Sequence, residues 1–349
     1  MNAKTMRTVS DVAGLVKSGL VKAEDSPALR PVEEAFSVRL TPEVIAQIST
    51  ARLDDPIFAQ YVPQAAELVT QADELADPIG DDAHEKVKGL IHRYPDRVLL
   101  KPIQTCAVYC RFCFRREKVG HGVEGLSADE LAAAIAYVAA HPEINEVILT
   151  GGDPFVLSAR RLKGIVEKLA AIPHVSILRF HTRVPLVEPA RITKDLVKAI
   201  KTHPAVHVVI HVNHPTELSS SVAKALALMV EAGIPLLSQS VLLRGVNDDA
   251  EVLGALFRKL VSLRVKPYYL HHLDKAFGTS HFRVPLAKGR ELMAALQGRI
   301  SGFSLPTYVI DIPGGFGKVP VNADYVRGVA PGEYEIADPW GRRHRYQEK

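Results

Sequence analysis

From residue 97 onward, short apolar runs alternate with amphipathic stretches. The runs cover 97–103, 146–150, 176–181, 207–212, 236–243, 267–273 and 307–312, and are rich in β-branched and large apolar residues. That is the composition of parallel strands covered on both faces. Between them, 128–140, 159–171, 218–232 and 251–263 carry helical spacing. Ser127, followed three residues later by Glu130, is a capping-box start for the first of these. Repeated β–α units at this spacing predict an α/β protein built on a parallel sheet, either a barrel or a doubly wound sheet. In both, ligands sit at the C-terminal ends of the strands. The polar and glycine-rich motifs of this chain follow the apolar runs, where such a site belongs.

Residues 1–90 have a different pattern, polar and helical. Thr41-Pro42-Glu43 reads as a helix start, with Thr41 as N-cap and Pro42 at the first helical position. Residues 63–75 are a second helical candidate. Pro78, Gly80, Asp81 and Asp82 mark a loop. No chemistry is recognisable in this region.

At 349 residues with 47% hydrophobic content, the chain can bury a sizeable core. The formal net charge of +4 is spread along the chain, unlike the concentrated basic face of a nucleic-acid binder. No apolar run reaches the roughly 18 residues of a membrane span. No apolar leader precedes a small-residue cleavage site in residues 1–22, so a cytoplasmic enzyme is expected.

All three cysteines lie in Cys106-Ala-Val-Tyr-Cys110-Arg-Phe-Cys113, directly after the first apolar run. An odd number so closely spaced is a poor disulfide framework. Three thiolates can hold three irons of a [4Fe–4S] cubane. No other cysteine exists to ligate the fourth iron, which is left free to chelate the amino and carboxylate groups of S-adenosylmethionine. The alternatives are buried free thiols or a zinc site completed by a histidine. The spacing is not that of paired zinc-ribbon cysteines, and it resembles the signature of the radical S-adenosylmethionine superfamily. Phe112, before the last cysteine, can stack on adenine. Thr150-Gly151-Gly152-Asp153-Pro154 ends the second run, and glycines there permit close backbone approach. By resemblance, Gly151, Gly152 and Asp153 belong to the segment that contacts S-adenosylmethionine. His203, His207, His211 and His214 would suggest a metal site on a helix. The β-branched run through them reads as a strand and separates their faces.

Asp311-Ile-Pro-Gly-Gly-Phe-Gly-Lys318 follows the last run. A lysine in such a turn can form a Schiff base with an aldehyde, cradle a phosphate or stand in solvent. Its spacing is not that of a P-loop. The chain resembles the lysine 2,3-aminomutase family from about residue 90 onward. The matches are His92-Arg93-Tyr94-Pro95-Asp96-Arg97, the cysteine motif continuing into Arg115-Arg116, Thr150–Pro154, His181-Thr182-Arg183-Val184-Pro185, His211-Val212-Asn213-His214-Pro215, the segment Gln239 to Asp248, His281-Phe282-Arg283 and the Lys318 turn.

The resemblance implies a partial (β/α)6-type TIM barrel over 91–285. A helical region over 1–90 would precede it, and a short C-terminal segment over 286–349 would carry the lysine. It implies a [4Fe–4S] cluster, S-adenosylmethionine and pyridoxal 5′-phosphate, with Lys318 bound to the last. Arg93, Tyr94 and Arg97 would help to bind that cofactor, and His211 and Gln239 would lie near S-adenosylmethionine. Arg115 would take a lysine carboxylate, while Asp274 and Asp311 would take its ε-ammonium. The implied reaction is L-lysine to β-lysine, with arginine as the alternative substrate and a flavodoxin- or ferredoxin-type electron donor. A homo-oligomer is left open. Larger family members carry further cysteines that ligate zinc, and this sequence has none, so no zinc is expected. His271 stands where those members would have tyrosine. Both features resemble the shorter branch that makes β-lysine for elongation factor P, although that branch often departs from the full glycine-lysine turn seen here.

Overall fold

A computed structural model of the chain describes residues 7–120, 125–322 and 324–348. The first six residues, part of the leader reading, lie outside the described ones. Four short helices come first: α1 (Val12–Lys17), α2 (Ser26–Ala35), α3 (Pro42–Gln47) and α4 (Pro56–Tyr61). Thr41 caps α3 by accepting from Val44 N, and Pro42 opens the helix as expected.

The helix expected over 63–75 is reduced to one 3-10 turn, Ala65–Leu68. Leu68 and Val69 are exposed, so no apolar stripe faces the core. What holds the segment is Glu67, turned inward onto Arg111 and Arg116. The region up to residue 90 is also not purely helical. Strand β1 (Glu85–Val87) pairs antiparallel with β2 (Leu90–Tyr94), and β2 forms a hairpin with β3 (Arg97–Ile103) in which Tyr94 faces Arg97.

The alternation then runs α5 (Ala128–Ala140), β4 (Glu146–Gly151), α6 (Ala159–Ala170), β5 (Ile177–Thr182), α7 (Val184–Val187), α8 (Lys194–Ile200) and β6 (Ala205–His211). It continues with α9 (Ser220–Glu231), β7 (Leu236–Val241), α10 (Ala250–Ser262), β8 (Val265–His271), α11 (Leu286–Leu296), β9 (Thr307–Asp311) and β10 (Lys318–Pro320). The expected runs and helices agree with these bounds to within two residues. Ser127 and Glu130 form the expected capping box on α5, Glu130 N donating to Ser127 Oγ and Ser127 N to Glu130 Oε2.

Strands β3 to β9 pair in parallel in sequence order, with β1, β2 and β10 antiparallel at the edges. The helical crossovers between them make a (β/α)6 arrangement. The terminal strands β1 and β10 do not pair with each other, so the barrel is partial. Loop contacts bridge the gap instead. Lys318 N donates to Tyr94 Oη at 3.0 Å, and the His84 ring lies 3.2 Å from Gly315 O. Gly80 approaches so closely that a Cβ there would sit 2.6 Å from Gly315 N.

Alternation along the strands sorts their residues. Leu149, Leu178, Phe180, Val208, Ile210 and Leu270 point outward. They pack with Leu162, Ile165, Leu226, Leu256 and Phe257 in one continuous core. The other face lines the lumen. After β10 comes a separate antiparallel meander, β11 (Val326–Ala330), β12 (Glu333–Ala337) and β13 (Arg343–Gln347). Its residues are mostly exposed, so apolar runs could not announce it. Among the described residues, no helix is long and apolar enough to cross a membrane.

Candidate active site

The cysteine loop leaves the C-terminal end of β3 and is gripped by the N-terminal region. Arg111 N donates to Gln60 O at 2.8 Å, and Tyr109 N to Arg39 O at 3.2 Å. The Arg111 guanidinium forks onto Glu67, with Nε to Oε1 at 2.9 Å and Nη2 to Oε2 at 2.6 Å, while Nη1 reaches Ser37 O. Arg116 joins the same carboxylate. Both partners of the Arg111–Glu67 pair are essentially inaccessible, so the loop is anchored by a buried ion pair.

Burial pushes all three thiols up, Cys110 to about 11. Cys106 also feels the charges of Cys113 and Cys110, and Cys110 that of Cys113, so the three share one neighbourhood. Iron would have to draw them into thiolate form. Among the described residues, no three His, Cys, Asp or Glu side chains converge as ligands of a single ion. A cubane instead takes each thiolate on a different iron.

Gly151 and Gly152 end β4 against the run into Cys106. Gly152 N donates to Ile103 O at 2.8 Å, and a Cβ at Gly152 would meet Thr105 O at 2.4 Å. The close approach that requires glycine is therefore to the backbone of the cysteine loop itself. Asp153 is committed within the chain. Its Oδ1 accepts from Phe155 N (3.0 Å) and Thr182 Oγ1 (2.7 Å), and its Oδ2 from Arg183 N (2.6 Å) and Val184 N (3.1 Å). Phe112 is buried with Leu243, Val246, Leu273 and Phe282, edge-on to the last.

The lumen is polar toward its C-terminal end. His211 and Gln239 face each other across β6 and β7, Gln239 Nε2 donating to His211 Nε2 at 2.9 Å. Burial lowers His211 to about 3, so the ring is neutral and can accept. His181 and His271 are likewise lowered by burial, and each leaves a buried Nε2 without a partner. Those atoms are available to a ligand. Lys318 Nζ lies 2.9 Å from Asp311 Oδ2, with His271 Nδ1 at 3.6 Å from the same oxygen. Burial would raise Asp311, but the adjacent His271 ring and the Lys318 ammonium hold it at about 2. Asp274 goes the other way, to about 7, through burial and then the charge of Asp311.

The structure thus gathers Lys318, Asp311, Asp274, His271 and Tyr269 at the ends of β8 and β9, with Arg115 near enough to lower Asp274. The arginines are occupied. Arg115 Nε and Nη2 both donate to Asp81 Oδ2, at 2.9 and 2.7 Å. Arg93 Nη2 takes Asp81 Oδ1 at 3.1 Å and Ile79 O at 2.6 Å. Arg97 lies over the Tyr94 ring at 3.9 Å and pairs with Asp96.

Sequence reasoning found no chemistry before residue 90, and here the structure corrects it. Gln60, Glu67 and Asp81 all reach the site's supports. A buried carboxylate has no signature of its own, and its arginine partners lie tens of residues away. Arg183 and Glu217 were also missed, although both lie in or beside quoted motifs.

Two family models match the chain: the Radical SAM superfamily over residues 100–255 and Lysine-2,3-aminomutase over residues 293–333. The chain is 41% identical over 307 residues to L-lysine 2,3-aminomutase of Clostridium subterminale, covering 88% of this chain and 74% of that protein. It is 37% identical over 316 residues to L-lysine 2,3-aminomutase of Escherichia coli, covering 90% and 92%. A relative named glutamate 2,3-aminomutase, from Clostridioides difficile, is 33% identical over 318 residues, covering 91% and 75%.

Proposed function

The chain belongs to the lysine 2,3-aminomutase family of radical S-adenosylmethionine isomerases, and on that premise we propose that it converts L-lysine to β-lysine with pyridoxal 5′-phosphate carried on Lys318. The observation that carries the substrate is the acidic pair Asp274 and Asp311 beside the lysine amine. Two carboxylates sharing a buried site repel, and one is held near neutrality unless a cation enters. A distal ammonium satisfies both, whereas a distal carboxylate would add a third like charge.

When bound, the cluster with S-adenosylmethionine supplies a hydrogen-abstracting carbon radical, and pyridoxal phosphate supplies an aldehyde and a conjugated ring that spreads an unpaired electron. Cys106, Cys110 and Cys113 would hold three irons. His211 and Gln239, joined to each other in the lumen, would orient S-adenosylmethionine, and Gly151, Gly152 and Asp153 keep the β4 end close to the cysteine loop. Tyr94 touches the Lys318 turn through its Oη and carries Arg97 over its ring, and these two with Arg93 would take the phosphate. The orphaned Nε2 atoms of His181 and His271 fit a polar ligand in the lumen. Arg115 offers a fork suited to a substrate carboxylate, which would exchange for Asp81.

The test is anaerobic reconstitution with iron, sulfide and pyridoxal phosphate, then dithionite, S-adenosylmethionine and L-lysine, with β-lysine read by mass spectrometry. L-arginine and L-glutamate run in parallel. β-Lysine that disappears in Cys110→Ala and Lys318→Ala supports the reading. Full activity in Lys318→Ala, or a product from glutamate alone, overturns it.

A further inference from the structure

Arg183 stands at the end of β5, where its backbone N–H donates to Asp153. Its side chain is 7% exposed, and its guanidinium is divided among three partners. Nη2 donates to Glu217 Oε2 at 2.8 Å and to Gln60 Oε1 at 2.9 Å, and Nη1 is 3.4 Å from Cys110 Sγ. The rings of Tyr61 and Phe112 each lie 5.3 Å from its central carbon. The two acceptors are themselves held. Glu217 Oε1 accepts from Asn213 N and His214 N at 2.7 and 2.8 Å, and Gln60 Oε1 from Asn213 Nδ2 at 3.0 Å.

Neutralising Glu217 does not require the guanidinium to face a sulfur. The fork has a fixed orientation, and Glu217 with Gln60 on Nη2 leaves Nη1 directed at Cys110. We propose that Arg183 tunes the one-electron reduction of the cluster by donating an N–H to the Cys110 sulfur, with Glu217 as the opposing charge that sets how far. This rests on the reading that Cys106, Cys110 and Cys113 carry a [4Fe–4S] cluster. Arg183 acts through Cys110 and is a positioning residue.

On reduction the cluster passes from the 2+ to the 1+ state, taking one electron from an external donor. The added negative charge is shared with the cysteine sulfurs. A hydrogen-bond donor and a fixed cation beside one sulfur stabilise the reduced state and raise the potential. Glu217 lies one residue further out with the opposite charge and lowers it. In a site this buried, both effects are weakly screened. Two charge-neutralising changes therefore have opposite signs. Arg183→Gln removes the cation and leaves Glu217 uncompensated, which makes the potential more negative. Glu217→Gln keeps the shape and one acceptor oxygen but removes the opposing charge, which makes it less negative.

The experiment is a potentiometric titration of the reconstituted full-length chain with titanium(III) citrate, read by the electron paramagnetic resonance signal of the reduced cluster. Wild type, Arg183→Gln, Arg183→Lys and Glu217→Gln are compared at equal iron and sulfide content. The expected result is a lower midpoint in Arg183→Gln, a higher one in Glu217→Gln, and Arg183→Lys between wild type and Arg183→Gln. Unchanged midpoints, or shifts of the same sign in both charge variants, overturn the proposal. If Arg183→Gln fails to load a cluster, Glu217→Gln alone decides: a raised midpoint supports the proposal, and an unchanged or lowered one ends it. A wild-type chain that assembles no [4Fe–4S] cluster refutes the cluster reading instead.

Discussion

Lys318 Nζ and Asp311 Oδ2 stand 2.9 Å apart across the β9–β10 pairing, where the two residues are also backbone partners. The carboxylate that holds the lysine amine is one of the two expected to receive the substrate ammonium. Once Lys318 is engaged elsewhere, Asp311 is left ionised beside an open site. Asp311→Asn keeps the shape and removes the charge. A charge-assisted hydrogen bond contributes about 1.5–3 kcal/mol, so kcat/KM for lysine should fall roughly 10- to 100-fold. A change within twofold would show that Asp311 does not meet the substrate.

Asp274 gives the pH dependence. Burial and the charge of Asp311 lift it to about 7, so its ionised fraction grows as pH rises through that value. A cation binds the ionised form, and lysine's ε-ammonium keeps its proton over this range. The KM for lysine should therefore fall from about pH 6 to about pH 8. Asp274→Asn should flatten the profile at the weak end. A variant with the wild-type profile would remove Asp274 from the binding site.

Asp81 separates two guanidinium groups that would otherwise repel. Arg93 and Arg115 both lie on it, each with a side chain 11% exposed, while that of Asp81 is 2% exposed. Breaking a buried pair by deleting one partner costs about 3–5 kcal/mol. Asp81→Ala should lose stability of that order, measured by chemical denaturation of the cluster-free chain. Loss below 1 kcal/mol, on the order of a surface bridge, would mean that water already screens the pair.

Gly152→Ala inserts a methyl group 2.4 Å from Thr105 O and 2.6 Å from Thr105 N. Neither backbone atom can rotate away, so the run into Cys106 must move. The expected variant keeps its circular dichroism but binds less iron and sulfide after reconstitution. Full loading would show that the cysteine loop tolerates displacement at its entry.

The β–α alternation was legible because its strands and helices have different periods, while the choice of a barrel over a doubly wound sheet came from the family resemblance. Each strand of the β–α alternation is buried enough to read as an apolar run, and each helix has one wet face. The cysteine triplet was legible because all three residues fall within eight positions. What failed was the segment whose structure depends on distant charges. Residues 63–75 read as a helix in a polar region, yet the Glu67 carboxylate within them is among the least accessible of the described residues. The meander β11–β13 failed for the converse reason: its strands bury little, and an exposed strand shows little periodicity.

The sequence by itself determined the alternation of elements, the three thiols, the glycine-lysine turn and the motifs that mark the family. All of these are local, carried by neighbouring residues whose spacing is set by the backbone. Only the tertiary structure decided which charge meets which: Asp81 between Arg93 and Arg115, Glu67 under Arg111 and Arg116, and Arg183 shared by Glu217 and Cys110. A buried charge is stable only beside its partner, and that partner comes from wherever the curled sheet brings another loop.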